Sequence, residues 1–196
     1  MKEDFPDGGD DLGAMEFFIM TLVGKLRLKS LYELRQQAGL EPGGIRSAMK
    51  TLENTKLISR ADPGKRRRRD LALASAGKDF LERSWRGCMR DYADADAVLR
   101  AAFVAWVMDS SAHAAAYLDQ IGQLRRERAQ QMKHEQESLK RSQTGPLSSY
   151  AWMRLEIEAH RRRAESDALL SISLSLKEHF ERNVNEKTES SPRNAD

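Results

Sequence analysis

The sequence predicts a mainly α-helical protein interrupted by one short β-hairpin. Three observations lead there. Apolar residues recur at three- and four-residue intervals over most of the 196 residues. That helical spacing gives way to two short runs, "LISRA" (57–61) and "RRDLALA" (68–74), joined through "DPGKR". Beyond residue 75, turn-forming residues are sparse.

In chain order, "MKEDFPDGGDDLG" (1–13) holds five acids, a proline and glycines, and is expected to be a disordered acidic tail. Asp10 or Asp11 is expected to cap a helix from Leu12 or Met15 to Val23. Phe17, Phe18, Met20, Leu22 and Val23 make that helix apolar nearly all round, so it must be buried. "KLRLK" (25–29) alternates like a short edge strand. Ser30 and Glu33 have capping-box spacing and open a helix that ends at Gly39, with Leu31, Leu34 and Ala38 on one face. After the Gly39–Pro42 turn, Ile45, Met49, Leu52 and Leu57 recur on the inner side of a third helix.

The hairpin follows, and Ser75 is expected to cap a helix with Phe80, Leu81 and Trp85 inward. The rest reads as helices over 92–108, 112–141 and 149–183, with breaks at "DSS" (109–111) and "TGPLSS" (144–149). "LSISLSL" (170–176) alternates with period two, but its flanks favour helix and contain no turn residue. Residues 184–196 are polar and expected to be disordered.

Helix, short strand, helix, tight turn, helix and hairpin is the element order of a winged helix-turn-helix, whose third helix enters the DNA major groove and whose hairpin is the wing. The expected organisation is therefore a mainly α chain with a winged helix-turn-helix DNA-binding domain over 14–86 and a helical dimerisation and effector region over 87–183.

Composition narrows the function classes. Apolar residues make up 40% and charged residues 32% of the chain, as in a soluble globular protein. The longest apolar stretch, Ala101–Met108, falls far short of the ~20 residues that span a bilayer. The acidic start has the wrong charge for a secretory signal, so a cytoplasmic location and no membrane partner are expected. Cys88 is the sole cysteine, which excludes an intrachain disulfide and a thiolate zinc knuckle; a buried thiol is expected rather than a nucleophile. His113, His134, His160 and His179 have no metal-ligand spacing, and "PGKRRRRD" lacks the spacing of a phosphate-binding loop. No enzyme, metal or cofactor is expected. Asp91, Asp94 and Asp96 read as a solvated face, and "HRRR" (160–163) as surface charge.

Charge is divided unevenly. Residues 1–23 carry one Lys against six acids, residues 24–80 carry fourteen cations against six acids, and the remainder cancels. The positive field belongs to the segment with the third helix and hairpin, a nucleic-acid signature. Lys65, Arg66, Arg67, Arg68 and Arg69 sit at the expected wing tip and are candidate phosphate or minor-groove contacts. With Ile45, Met49 and Leu52 inward, Arg46, Ser47 and Lys50 face outward near the helix start, where base edges are read. Gly43 and Gly44 would let a phosphate approach the backbone, or are there for turn permissiveness.

"GLEPGGIRSAMKTLENTKLISR" followed by "RRRRDLALASAGKDFL" resembles the recognition helix, wing and wing exit of the PadR family of bacterial transcriptional regulators, over about residues 15–82. In that family a small residue and a Tyr typically stand where Gly44 and Arg46 are, and the wing exits through Tyr-x-Leu-Thr-x-x-Gly. Here Leu71, Leu73, Ala74 and Gly77 keep the Leu and Gly and lack the Tyr and Thr. The MarR type of winged-helix regulator is the alternative. The resemblance implies a homodimer paired through its C-terminal helices, binding double-stranded DNA, often under a small-molecule effector.

The surplus of apolar residues agrees in part. Val98, Phe103, Trp106, Val107 and Tyr117, then Trp152, Leu155, Leu169, Leu170, Ile172, Leu176 and Phe180, call for a partner surface. Trp106 and Trp152 are candidates to line a pocket for a small aromatic or hydrophobic effector, against plain core or dimer packing. The expected function is a dimeric DNA-binding regulator, a repressor. A winged-helix protein-interaction or scaffold module is the alternative.

Overall fold

The computed structural model describes residues 12–60, 70–142 and 146–189, with side chains undescribed at 141–148 and 179–189. The chain is mainly helical with one small two-stranded sheet. It divides into two compact units, 1–110 and 111–196.

The first unit is built around α1 (Ala14–Gly24). Phe17, Ile19, Met20, Leu22 and Val23 are each at most 5% exposed, and Phe18 is 8% exposed, so this helix has no wet side. Its one hydroxyl in that core, on Thr21, donates to the Phe17 carbonyl at 2.8 Å, which satisfies a polar group that would otherwise be stranded. Gly13 is the N-cap residue, and its N–H is taken by the Glu16 carboxylate at 3.1 Å. The expected caps Asp10 and Asp11 lie outside the described residues.

The segment 25–29 is not a strand. Arg27 adopts φ 62°, which interrupts an extended run, and the Leu28 N–H turns back to the Leu22 carbonyl at 3.1 Å. A trace of pairing survives where the Leu71 N–H donates to the Lys29 carbonyl at 2.7 Å. Ser30 caps α2 (Leu31–Ala38) as expected, its Oγ accepting from the Glu33 N–H at 3.2 Å, but the reciprocal half of a capping box does not form: Glu33 Oε2 accepts from the Lys29 N–H at 2.6 Å, one residue before the cap. Gly39 ends α2 in the left-handed region, φ 61°. Leu34 is fully buried. Leu31, expected inward, is 41% exposed because α2 reaches the core only through Leu34.

The third helix, α3 (Pro42–Asn54), starts on a proline, whose missing N–H costs nothing at that position. Ile45, Ala48, Met49 and Leu52 are its buried face, as the spacing required. Strands β1 (Ile58–Arg60) and β2 (Leu71–Leu73) pair antiparallel with Ile58 opposite Leu73 and Arg60 opposite Leu71. The expected hairpin turn and its basic run, Lys65 to Arg69, lie outside the described residues.

Helix α4 (Ser75–Ser84) begins one residue earlier than a Ser75 cap would allow. The Ala74 N–H is already held by the Leu57 carbonyl at 3.0 Å, so the strand register sets the helix start. Leu81 is buried, Phe80 is half-buried and stacks on Phe17 at 5.8 Å, and Trp85 is buried in the 3-10 turn Trp85–Cys88.

Helix α5 (Ala95–Met108) is capped by Asp94, whose carboxylate accepts from the Asp96 and Ala97 N–H groups at 3.2 Å. It packs on α1. Val98, Ala101, Ala102, Val104 and Ala105 are its buried face, and the Phe103 and Phe18 rings meet edge to face at 5.1 Å. The expected boundary at 86/87 therefore differs from the division observed, which keeps α5 with the hairpin and α1.

The second unit is a pair of long helices, α6 (Ser111–Ser142) and α7 (Pro146–Glu189). They run antiparallel: Ser173 Oγ donates to the Ala115 carbonyl at 2.9 Å, Ser166 Oγ to the Gly122 carbonyl at 2.7 Å, and the Gln136 amide to Glu156 farther along. Arg125, with no exposed side-chain surface, meets Glu165 at 2.6 Å. "LSISLSL" (170–176) is helical as expected: Ser173 is buried, four residues after the buried Leu169 that precedes the segment, and Ile172 and Leu174 are exposed. Two boundaries move. Pro146 opens α7 three residues before the expected Ser149, and the helix continues through Val184–Glu189, where disorder was expected, because no breaker precedes Pro192. Among the described residues, no helix is long and apolar enough to cross a membrane.

Gly77 has a steric reason to be glycine: a Cβ there would stand 2.0 Å from the Leu57 carbonyl oxygen, a backbone atom fixed by the hairpin. Gly77→Ala is therefore expected to lower unfolding free energy by ~1–3 kcal/mol despite alanine's better helix propensity. Gly87→Ala, into open space, should shift the denaturant midpoint little. Equal midpoints for the two variants would refute the close approach.

Candidate nucleic-acid interface

Burying one side of α3 leaves the other in water. Arg46, Ser47 and Lys50 are all exposed there, four residues separating the two cations along one stripe of the helix. Gly43 is exposed, with nothing within 4 Å of a Cβ placed on it, so its lack of a side chain leaves the backbone open to a ligand. Gly44 is half-buried, and a Cβ there would lie 3.2 Å from Met15 Cε, so its small size serves the contact between α3 and the first turn of α1. Neither has the positive φ that turn permissiveness requires; among the described glycines only Gly39 does.

Beside this stripe runs an open groove of about 510 Å³, walled by α2 and α3 and bordered by β1. Ile45 and Met49 contribute its floor, Leu31 and Tyr32 one wall, and Arg35, Arg46, Lys50 and Arg60 its charged rim. Arg60 is paired with Glu53. Tyr32 is 64% exposed. Sequence reasoning missed Tyr32, Arg35 and Arg60; the signal was in α2, where Tyr32 and Arg35 stand three apart and away from Leu34. Arg60, at the groove border, pairs with Leu71 across the sheet, and Lys65, Arg66, Arg67, Arg68 and Arg69 fall between those two residues in sequence. Those five cations themselves lie outside the described residues.

The other marked residues have structural partners. Asp94 caps α5 and Asp96 reaches Arg100 at 3.4 Å. Cys88 is fully buried, and burial pushes its thiol up to about 12, so at neutral pH it is the protonated, weakly nucleophilic form. His160 meets Glu156 at 2.9 Å, and Arg161 and Arg162 meet Glu158 at 2.7 and 3.0 Å, so much of the "HRRR" charge is compensated on its own helix. Among the described residues, no three His, Cys, Asp or Glu side chains are grouped to hold a metal ion.

Trp106 is 43% exposed on α5, with its ring edge to face with Phe103 at 6.4 Å. Trp152 is half-buried on α7 under the Lys140 ammonium, 5.0 Å from the ring centre. The two belong to different units. Of the surplus apolar groups, Val98, Tyr117 and Leu169 are buried within this single chain. Tyr150, Met153 and Ile157 on α7, which sequence reasoning did not mark, are 61%, 50% and 70% exposed. No family model, no curated protein and no solved structure matches the chain.

Proposed function

We propose that this chain is a DNA-binding transcriptional regulator of winged helix-turn-helix build, resembling the PadR type, that acts as a homodimer and as a repressor. The observation that carries the reading is the outward face of α3: Arg46, Ser47 and Lys50 exposed together while Ile45, Ala48, Met49 and Leu52 are buried. The element order supports it, as does the placing of the hairpin root beside that face.

In this reading α3 lies in the major groove. The Arg46 guanidinium offers paired donors that match the N7 and O6 acceptors of guanine, Ser47 makes an adaptable hydrogen bond, and Lys50 supplies a point charge. Arg35 borders the same groove and would meet a phosphate flanking the site. Lys65 to Arg69 would grip the backbone from the wing and displace condensed counterions, which makes binding steeply salt-dependent. A small aromatic or hydrophobic effector at Trp106 or Trp152 would act by changing the spacing of two such heads.

The dimer has its own support. Tyr150, Met153 and Ile157 are spaced as one stripe of α7 and exposed on a single chain, an apolar surface suited to a second copy. The same stripe favours the second reading, a scaffold that binds another protein and no specific DNA.

Two predictions separate these. Arg46→Ala is expected to cost ~1–3 kcal/mol on a preferred duplex while leaving scrambled duplex binding little changed. Replacing Arg66, Arg67 and Arg68 by Ala should weaken all duplexes and flatten the log–log salt slope by ~0.9 per lost phosphate contact. Equal losses on both duplexes from Arg46→Ala, with an unchanged thermal melt, would make Arg46 an anchoring residue. A salt slope unaffected by the wing change would remove the wing from the interface.

Light scattering should give the full chain twice its 22.3 kDa mass at micromolar concentration. Ile157→Glu should reduce it to one copy and abolish tight binding of a two-half-site duplex, because two heads would no longer be held one helical turn apart. A full chain that scatters as a monomer contradicts the dimer.

A further inference from the structure

The α2/α3 groove is both cationic and apolar. Arg35, Arg46 and Lys50 on its rim have no ion-pair partner among the described residues, whereas Arg60 is paired with Glu53. Leu31 and Tyr32, 41% and 64% exposed, add apolar surface that a purely phosphate-binding groove would not need. The natural occupant is an acidic segment with an aromatic side chain.

This chain carries one. Residues 1–11, MKEDFPDGGDD, hold five acids against one lysine, with Phe5 as the sole aromatic side chain. The place where that segment joins the fold favours the groove. Met15, in the first turn of α1, packs against Gly44 in the first turn of α3, within 3.2 Å of where a Cβ would stand. Eleven residues reach up to roughly 36 Å when extended, well beyond the roughly 20 Å length of α3.

We propose that residues 1–11 dock in the α2/α3 groove of their own chain, with their carboxylates on Arg35, Arg46 and Lys50 and Phe5 against Leu31 and Tyr32. The segment thereby competes with any external polyanion for the same cations. Its consequence for DNA rests on the function proposed above; the docking itself does not. The tether decides the strength. A short tether supplies an effective concentration of about 1 mM, so an intrinsic dissociation constant of about 0.1 mM suffices to fill the groove roughly nine-tenths of the time. Duplex affinity then falls about tenfold, in proportion to the fraction of open groove. High salt weakens docking and duplex binding together, which shrinks the difference.

The test uses the full chain in three forms: unaltered, with Glu3→Gln, Asp4→Asn, Asp7→Asn, Asp10→Asn and Asp11→Asn combined, and with Phe5→Ala. Amide resonances of Tyr32, Arg46 and Lys50 are recorded for each, and affinity for a random-sequence 24-base-pair duplex is measured at low and high salt. Docking predicts that both variants move those resonances, that charge neutralisation raises low-salt affinity about tenfold, and that Phe5→Ala raises it by a smaller factor. Unmoved resonances overturn docking even if affinity rises, since general charge reduction then accounts for the rise. If the resonances move and none of the three forms binds any duplex, docking stands and the DNA-binding reading falls. If duplex binds and the resonances stay put, the reverse holds.

Discussion

A helix without a wettable face has to be wrapped, and α1 is such a helix. Phe17, Phe18, Ile19, Met20, Leu22 and Val23 point in every direction around its axis, and all are buried. Each fully buried side chain of this kind contributes ~1.5–3 kcal/mol relative to exposure, so enclosing them outweighs any local preference of the surrounding segments. Helices α3, α4 and α5 and strand β2 all pack on α1. The small residues Ala101, Ala102 and Ala105 of α5 let one of those helices come close.

That wrapping fixes what α3 can show to solvent. With Ile45, Met49 and Leu52 committed to the core, Arg46, Ser47 and Lys50 must point out, and Met15 against Gly44 sets where the helix begins. The hairpin is anchored from the same core: Ile58, Leu71 and Leu73 are buried, while Arg60 sits on the groove rim. The exposed face of α3 and the paired strands thus share one support, which is the condition the proposed contact with a duplex would need. The proposed self-docking of residues 1–11 uses the same geometry, since the chain enters the fold beside the helix it would cover.

The sequence disclosed most of this where one physical requirement dominates. Helical spacing of Ile45, Met49 and Leu52 located the α3 core face, the Ser30–Glu33 pair located a cap, and the alternation in "LSISLSL" yielded to helix propensity as expected. It misled where tertiary contacts outweigh local signals. The alternating "KLRLK" does not extend, because Leu28 is drawn into the core and Arg27 must turn left-handed to allow it. Ser75 does not cap, because the Leu57 carbonyl holds the preceding N–H. Leu31 faces the groove instead of the core, and with it Tyr32 and Arg35 became part of the candidate site. No spacing rule marks such a groove, since its walls come from two helices and a strand whose packing only the folded chain defines.

The central claim is that the outward face of α3 reads double-stranded DNA. The most direct measurement is selection of bound fragments by the full chain from a random duplex pool at near-physiological salt, followed by sequencing. The account predicts enrichment of one two-fold-related motif whose half-sites lie about one helical turn, or ~10 base pairs, apart. A pool that emerges unenriched, or is not retained at all, would contradict it.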